Sequence, residues 1–141
     1  MADVRKLAHE VWPYVVEMRR DFHRHPEPSV EEFRTTDRIA EELDKMGIPY
    51  LRFEPTGLVG DIVGAKPGKC IFLRADIDAL SVKEESGVEF ASENEGFMHA
   101  CGHDTHAAML LGAAKILNSI KDDLCGTVKV LFQPAEELAM G

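Results

Sequence analysis

A chain of 141 residues with 45% hydrophobic and 29% charged side chains is long enough to bury one core and too apolar to stay disordered. Its 25 acidic against 16 basic residues leave a formal charge of −9, the wrong sign for binding a nucleic-acid backbone. No run of about 18 apolar residues is present to span a membrane, and Met1–Lys6 lacks the apolar centre of a signal peptide, so the expected location is cytoplasmic.

The first expected element is a helix from about Val4 to His23, where Val4, Leu7, Ala8, Val11, Val15, Met18 and Phe22 recur at helical spacing. Pro13 marks a kink or a fresh start within it, and His25-Pro26 ends it. Ser29 reads as an N-cap, with Glu32 three residues on completing a capping box. The helix that follows presents Phe33, Ile39, Ala40, Leu43 and Met46 and closes at Gly47. Beyond it the period changes. Pro49–Phe53, Gly57–Val63 and Cys70–Ala75 are short apolar runs divided by proline and glycine, and they read as strands. Ile71-Phe72-Leu73 is continuously apolar, as in a central strand covered on both faces, and it delivers Asp76 and Asp78 at its end. Residues 81–98 read as a long loop over the site. A helix from Asp104 or Thr105 to about Ile120 follows, then a strand at Gly126–Phe132 carrying Glu136 and Glu137 beyond its end. Interleaved helices and strands favour a layered α/β sheet. In such a sheet, ligands gather outside the carboxyl ends of strands, where three polar clusters of this chain fall.

Those clusters carry the chemistry. In Cys101-Gly102-His103 the thiol and imidazole stand at i and i+2, where a turning backbone aims both at one ion or a close pair. The duller alternative is a core cysteine followed by a histidine that caps a helix. His106 shares the face of His103 and would touch metal or substrate, or hydrogen-bond a group that does. His99 is a weaker candidate, and Asp104 reads as a helix N-terminal cap. Glu136 and Glu137 are consecutive, so in a helix they diverge by about 100°. That arrangement suits one carboxylate on a metal and its neighbour aimed at the attacking water, though a solvated pair has the same sequence. Asp76 and Asp78 would hold a histidine ring or bind the ion, or else serve a turn. His23 and His25 read as surface or packing histidines. Three cysteines cannot all pair, so no disulfide framework is expected. Cys70 and Cys125 border apolar runs and read as small buried or half-buried residues.

Four segments in register extend the argument. Arg19-Arg20-Asp21-Phe22-His23-Arg24-His25-Pro26-Glu27, Leu73-Arg74-Ala75-Asp76-Ile77-Asp78-Ala79-Leu80, His99-Ala100-Cys101-Gly102-His103-Asp104 and Phe132-Gln133-Pro134-Ala135-Glu136-Glu137 together resemble the M20 metallopeptidase family. The likeness is greatest to its amidohydrolase branch of N-acyl-amino-acid amidohydrolases (aminoacylases), hippurate hydrolase and auxin-conjugate hydrolases. It implies a three-layer, zinc-peptidase-like α/β catalytic domain with a mixed, largely parallel sheet. Residues 1–141 would be the N-terminal portion of that domain, with an insert domain for lid and dimerisation and the C-terminal half lying outside the chain.

The resemblance further implies two divalent ions, zinc, manganese, cobalt or nickel, and hydrolysis of the amide bond of a small N-acyl amino acid. By position Cys101 resembles the bridging metal ligand, His103 and Glu137 terminal ligands, and Glu136 the general base. Asp78, and with it Asp76, falls where the family keeps a carboxylate behind the metals. Ser81 departs from the pattern by standing where many relatives have proline. The chain ends shortly after Glu137, so the further histidine ligands are expected to be missing, the polypeptide inactive on its own, and its unfinished sheet edge open to self-association. The alternatives to a hydrolase are a metal-binding module that turns over no amide and a non-catalytic truncated remnant.

Overall fold

The computed structural model describes residues 2–139. Helix α1, Val4–Arg24, starts where the Asp3 carboxylate accepts the backbone N–H groups of Arg5 and Lys6, and it runs unbroken through Pro13. Helix α2, Phe33–Met46, ends on Gly47, whose φ of 67° is the left-handed conformation that only glycine adopts freely. Strands β1, Tyr50–Arg52, β2, Leu58–Val63, and β3, Lys66–Asp76, follow. After a long irregular segment come helix α3, His103–Ser119, and strand β4, Cys125–Gln133.

The four strands form one mixed sheet in the order β1-β2-β4-β3. β1 and β4 each run antiparallel to β2, whereas β3 and β4 are parallel. Leu58 and Ile62 of β2 and Val128, Val130 and Phe132 of β4 point to one face. There they meet Ile39 and Leu43 of α2 and Leu110, Leu111 and Ala114 of α3, with Met18 and Phe22 of α1 packed in the same core. The parallel pair brings the ends of β3 and β4 to the same side of the sheet, with Asp76 opposite Gln133. The segment after each strand therefore opens onto a common region. No helix among the described residues is long and apolar enough to cross a membrane.

Three sequence expectations are corrected here. Ser29 and Glu32 do not form a capping box, because α2 begins only at Phe33 and its first N–H groups are capped from further back. Glu27 accepts the N–H groups of Arg34 and Thr35, at 3.0 and 2.7 Å. The turn at Val30, with φ of 64°, folds Glu27 over the helix end and frees Ser29 and Glu32 to face inward. Ile71-Phe72-Leu73 is not covered on both faces: β3 is an edge strand, with Ile71 54% and Phe72 60% exposed. Cys70 and Cys125 are exposed too, Cys70 within the edge strand β3 and Cys125 at the first residue of β4.

The contact between α1 and α3 depends on Gly112. Alanine ordinarily stabilises a mid-helix glycine position by about 1 kcal/mol. Here an added Cβ would stand 2.5 Å from Val15 Cγ2, on a stiff β-branched side chain. Gly112→Ala should therefore lower the free energy of unfolding by about 1–3 kcal/mol in urea titrations, and adding Val15→Ala should recover part of the loss.

Candidate metal centre

Three chain segments build the site. β3 runs on into Asp78, which is buried among Ser29, His103 and the turn after β4. Gly102 then takes φ of 97° immediately before α3, so the chain reverses between Cys101 and His103. β4 ends at Gln133, and Ala135, at φ of 55°, turns the chain so that Glu136 and Glu137 come back toward α3.

The Asp78 carboxylate joins these segments. Its Oδ1 and its own carbonyl oxygen lie 3.1 and 3.0 Å from His103 Nδ1. Both are acceptors, so Nδ1 carries the proton and Nε2 is the ring nitrogen left to face a cation. Oδ2 accepts the Ser29 hydroxyl at 2.7 Å and the Glu137 N–H at 2.9 Å. His103 Nε2 then faces Glu136 Oε2 at 3.8 Å and Glu137 Oε1 at 3.9 Å.

Ligand atoms of Cys101, His103 and Glu137 all fall within 4.8 Å of one another, as do those of Asp76, His103 and His106. The two triads share His103. Glu137 Oε1 is buried and has no hydrogen-bond partner. An unpartnered carboxylate oxygen beside a thiol and an imidazole nitrogen is a donor set suited to a divalent cation such as zinc, so the residues present fit the implied metal. Desolvation of the Cys101 thiol, reinforced by the Glu137, Glu136 and Asp76 carboxylates, pushes its pKa up. Glu136 is the more open of the paired glutamates, with its side chain 40% exposed against 22% for Glu137.

Other expected site residues have distinct places. Asp76 is half-buried, pairs with Arg74 at 2.8 Å, and borders an open cleft lined by Leu73, Arg74, His106 and Met109. His106 is exposed, its ring centroid 5.4 Å from that of His103. His99 is buried with neither ring nitrogen paired, and burial drives its pKa down to about 4. Asp104 is not the cap of α3, whose N-cap position is Gly102 with no side-chain bond; it lies in the first turn, accepts the N–H of its neighbour Thr105, and also receives Arg19 and His23.

His23 is not a surface residue. It is buried between Asp104, 2.7 Å from Nδ1, and Glu84, 3.0 Å from Nε2. The 81–98 loop is fastened there, with the Phe90 ring under the Arg19 and Arg20 guanidinium groups and edge-on to His23. The missed residues are Ser29, Glu27, Glu32 and Glu84. No local pattern marks them, because each acts on a partner remote in the chain or across a turn.

The layered α/β scaffold gathers thiol, imidazole and carboxylate donors at the end of the sheet where the parallel strands β3 and β4 finish. Comparison with known proteins gives the family: the pattern of peptidase family M20/M25/M40 matches residues 72–141, and the chain belongs to the M20 family. It is 50% identical over 130 residues to thermostable carboxypeptidase 2 of Saccharolobus solfataricus, covering 91% of this chain and 33% of that protein. It is 44% identical over 140 residues to an N-acyl-L-amino acid amidohydrolase of Geobacillus stearothermophilus, covering 99% of this chain and 38% of that one. The crystal structure of Bacillus subtilis YxeP, described as a dinuclear metal binding peptidase from the M20 family, superposes with a TM-score of 0.88. That match has 42% identity and covers 97% of this chain and 38% of YxeP. The chain thus spans between a third and two fifths of the length of these relatives.

Burial alone would raise the Glu84 carboxyl, but the Ser86 hydroxyl, the Ser92 N–H and the His23 ring hold it below the usual carboxylate range. A carboxyl depressed in the folded state stabilises above its unfolded pKa, and that stabilisation is lost as pH falls through the depressed value. The 81–98 loop should accordingly stay fastened at neutral pH and loosen below about pH 4, read as faster cleavage within it by pepsin. Glu84→Ala should produce the same release at neutral pH under limited proteolysis.

Proposed function

We propose that this chain is the N-terminal part of an M20 catalytic domain that hydrolyses the amide bond of small N-acyl amino acids. Cys101, His103 and Glu137 would be metal ligands and Glu136 the general base. What carries the reading is the buried, unpartnered Glu137 Oε1 within 4.8 Å of a cysteine sulfur and a histidine nitrogen. Leaving such an oxygen without a partner costs folding free energy, and a cation would offset that cost. The amidohydrolase among the relatives and the dinuclear description of YxeP favour two ions and an N-acyl amino acid substrate.

Divalent ions in this position would supply Lewis-acid polarisation of an amide carbonyl and acidify water. The chain's own residues do the rest. Asp78 holds the His103 ring in one tautomer and fixes the backbone of Glu137. The Glu136 carboxylate, open to solvent and 3.8 Å from His103 Nε2, takes the proton from the attacking water and returns it to the departing nitrogen. Asp76, beside His103 and His106, adds negative charge on the other flank of the imidazole.

Calorimetry with zinc tests the ligand set on this chain. Cys101→Ser and Glu137→Gln should each abolish or strongly weaken binding, and Asp78→Asn should weaken it by about 10–100-fold. Glu136→Gln should leave binding unchanged. In a polypeptide of the relatives' full length carrying this sequence, Glu136→Gln should lower the release of amino acid from N-acetyl and N-benzoyl amino acids by roughly 10²–10⁴-fold. Zinc bound as tightly by Cys101→Ser and Glu137→Gln as by the parent would refute the assignment.

A further inference from the structure

Glu32 is fully buried, at 0% exposure, at the start of α2 and far in sequence from any residue of the metal centre. Its Oε1 accepts the N–H of Ala135 at 2.8 Å, and its Oε2 accepts the Thr56 hydroxyl at 2.6 Å. Ala135 is itself buried and held at φ of 55°, a left-handed conformation that a residue with a Cβ adopts at a cost. The next residues along the chain are Glu136 and Glu137.

The surroundings converge on that turn. Gly57, beside Thr56, donates its N–H to the Thr36 hydroxyl of α2 at 2.9 Å. It also approaches Pro134 so closely that a Cβ on Gly57 would stand 2.6 Å from the proline Cδ. The entry to α2, the β1–β2 turn and the turn after β4 therefore pack as one knot, with the Glu32 side chain at its centre. From the opposite side the Asp78 carboxylate takes the N–H of Glu137. Alternate N–H groups, those of residues 135 and 137, are thus held by two buried carboxyl groups from different parts of the chain.

We propose that Glu32 is a positioning residue of the metal centre, whose hydrogen bond to the Ala135 N–H keeps the left-handed turn that presents Glu136 and Glu137 to His103. It touches neither metal nor substrate. Its effect is geometric: without it Ala135 relaxes out of its strained conformation, and the Glu137 carboxylate leaves its place beside Cys101. The role rests on the reading of Cys101, His103 and Glu137 as ligands, but the clamp itself does not.

Hydrogen bonding and metal binding separate the two. In the zinc-free parent chain, amide exchange followed by NMR should show the Ala135 and Glu137 N–H groups protected and the intervening Glu136 N–H exchanging fast. Ala135 exchanging as fast as Glu136 would overturn the clamp without any variant being made. Glu32→Ala should free the Ala135 N–H and lower zinc affinity by about 10–100-fold, as loss of a support behind a ligand does. Glu32→Gln should keep both protection and affinity near the parent's. Its amide oxygen still accepts from Ala135, and the Thr56 hydroxyl turns from donor to acceptor for its NH₂. Parent-like zinc affinity in a folded Glu32→Ala chain would overturn the positioning role, as would equal loss in Glu32→Gln and Glu32→Ala. If the parent bound no zinc while Ala135 was protected, the ligand assignment would fall and the clamp would stand.

Discussion

The carboxylate of Asp78 is the interaction on which the site depends. It sits where β3 runs out of the sheet, is 1% exposed, and receives a hydroxyl, a ring N–H and a backbone N–H from three separate segments. A carboxyl group buried this deeply is tolerated only when its oxygens have hydrogen-bond partners. That requirement works in both directions. The donors satisfy Asp78, and Asp78 in turn dictates where Ser29, His103 and Glu137 must stand. The parallel pairing of β3 with β4 makes the arrangement reachable, because it delivers Asp78 and the Glu136–Glu137 turn to the same end of the sheet.

Around this centre the backbone departs from ordinary conformations at the points where side chains must be re-aimed. Gly102 takes φ of 97° between Cys101 and His103, where glycine pays no steric penalty. Val30 and Ala135, at 64° and 55°, have no such exemption. Each lies next to a buried carboxyl contact: Val30 between Ser29 and Glu32, Ala135 directly on Glu32. Strained residues persist when their surroundings over-determine them, and here the over-determination comes from hydrogen bonds to buried acids. The helical layer supplies the rigid backing: α3 holds Leu111 and Ala114 against the sheet and so fixes the height at which His103 emerges.

The parts of this organisation that could be read from the sequence are those whose logic is local. Cys101 and His103 flank a glycine, and the turn between them follows from that spacing. Glu136 and Glu137 come directly after an apolar strand ending in Gln133-Pro134. The boundaries of α1, α3 and β4 follow from periodicity and lie within about two residues of where they were expected. What was not legible is the long-range pairing. Ser29 looks like a helix cap because its neighbour three residues on is a glutamate, yet its hydroxyl reaches Asp78, 49 residues away. Glu32 finds Ala135 across 103 residues, and the true cap of α2 is Glu27, brought back by a turn at a valine that no propensity rule would place there. His23 offered no pattern separating a packing histidine from one buried between two acids. The apolar run Ile71–Leu73 reads alike whether a strand lies at a sheet's centre or its edge, since composition does not record what covers it.

These long-range contacts also explain why the centre is electrostatically unfinished. Asp78 has its donors, and so does Glu32. Glu136, Glu137 and Asp76, by contrast, gather near Cys101 and add their negative charge to the desolvation that raises its thiol pKa, and Glu137 Oε1 is buried without a donor. Like charges brought this close repel, and the hydrogen-bonded framework behind them keeps them together. The fold therefore divides its acids into two kinds. Those whose oxygens are saturated act as struts, and those left unsaturated form a pocket of negative charge pointing outward from them. A divalent cation is the species whose chemistry would suit such a pocket under the proposed ligand assignment, because the sulfur, the imidazole nitrogen and the free carboxylate oxygen lie within 4.8 Å of one another. On that proposal, the free energy that the struts spend holding the unsaturated groups in place would be recovered in affinity on binding of the ion.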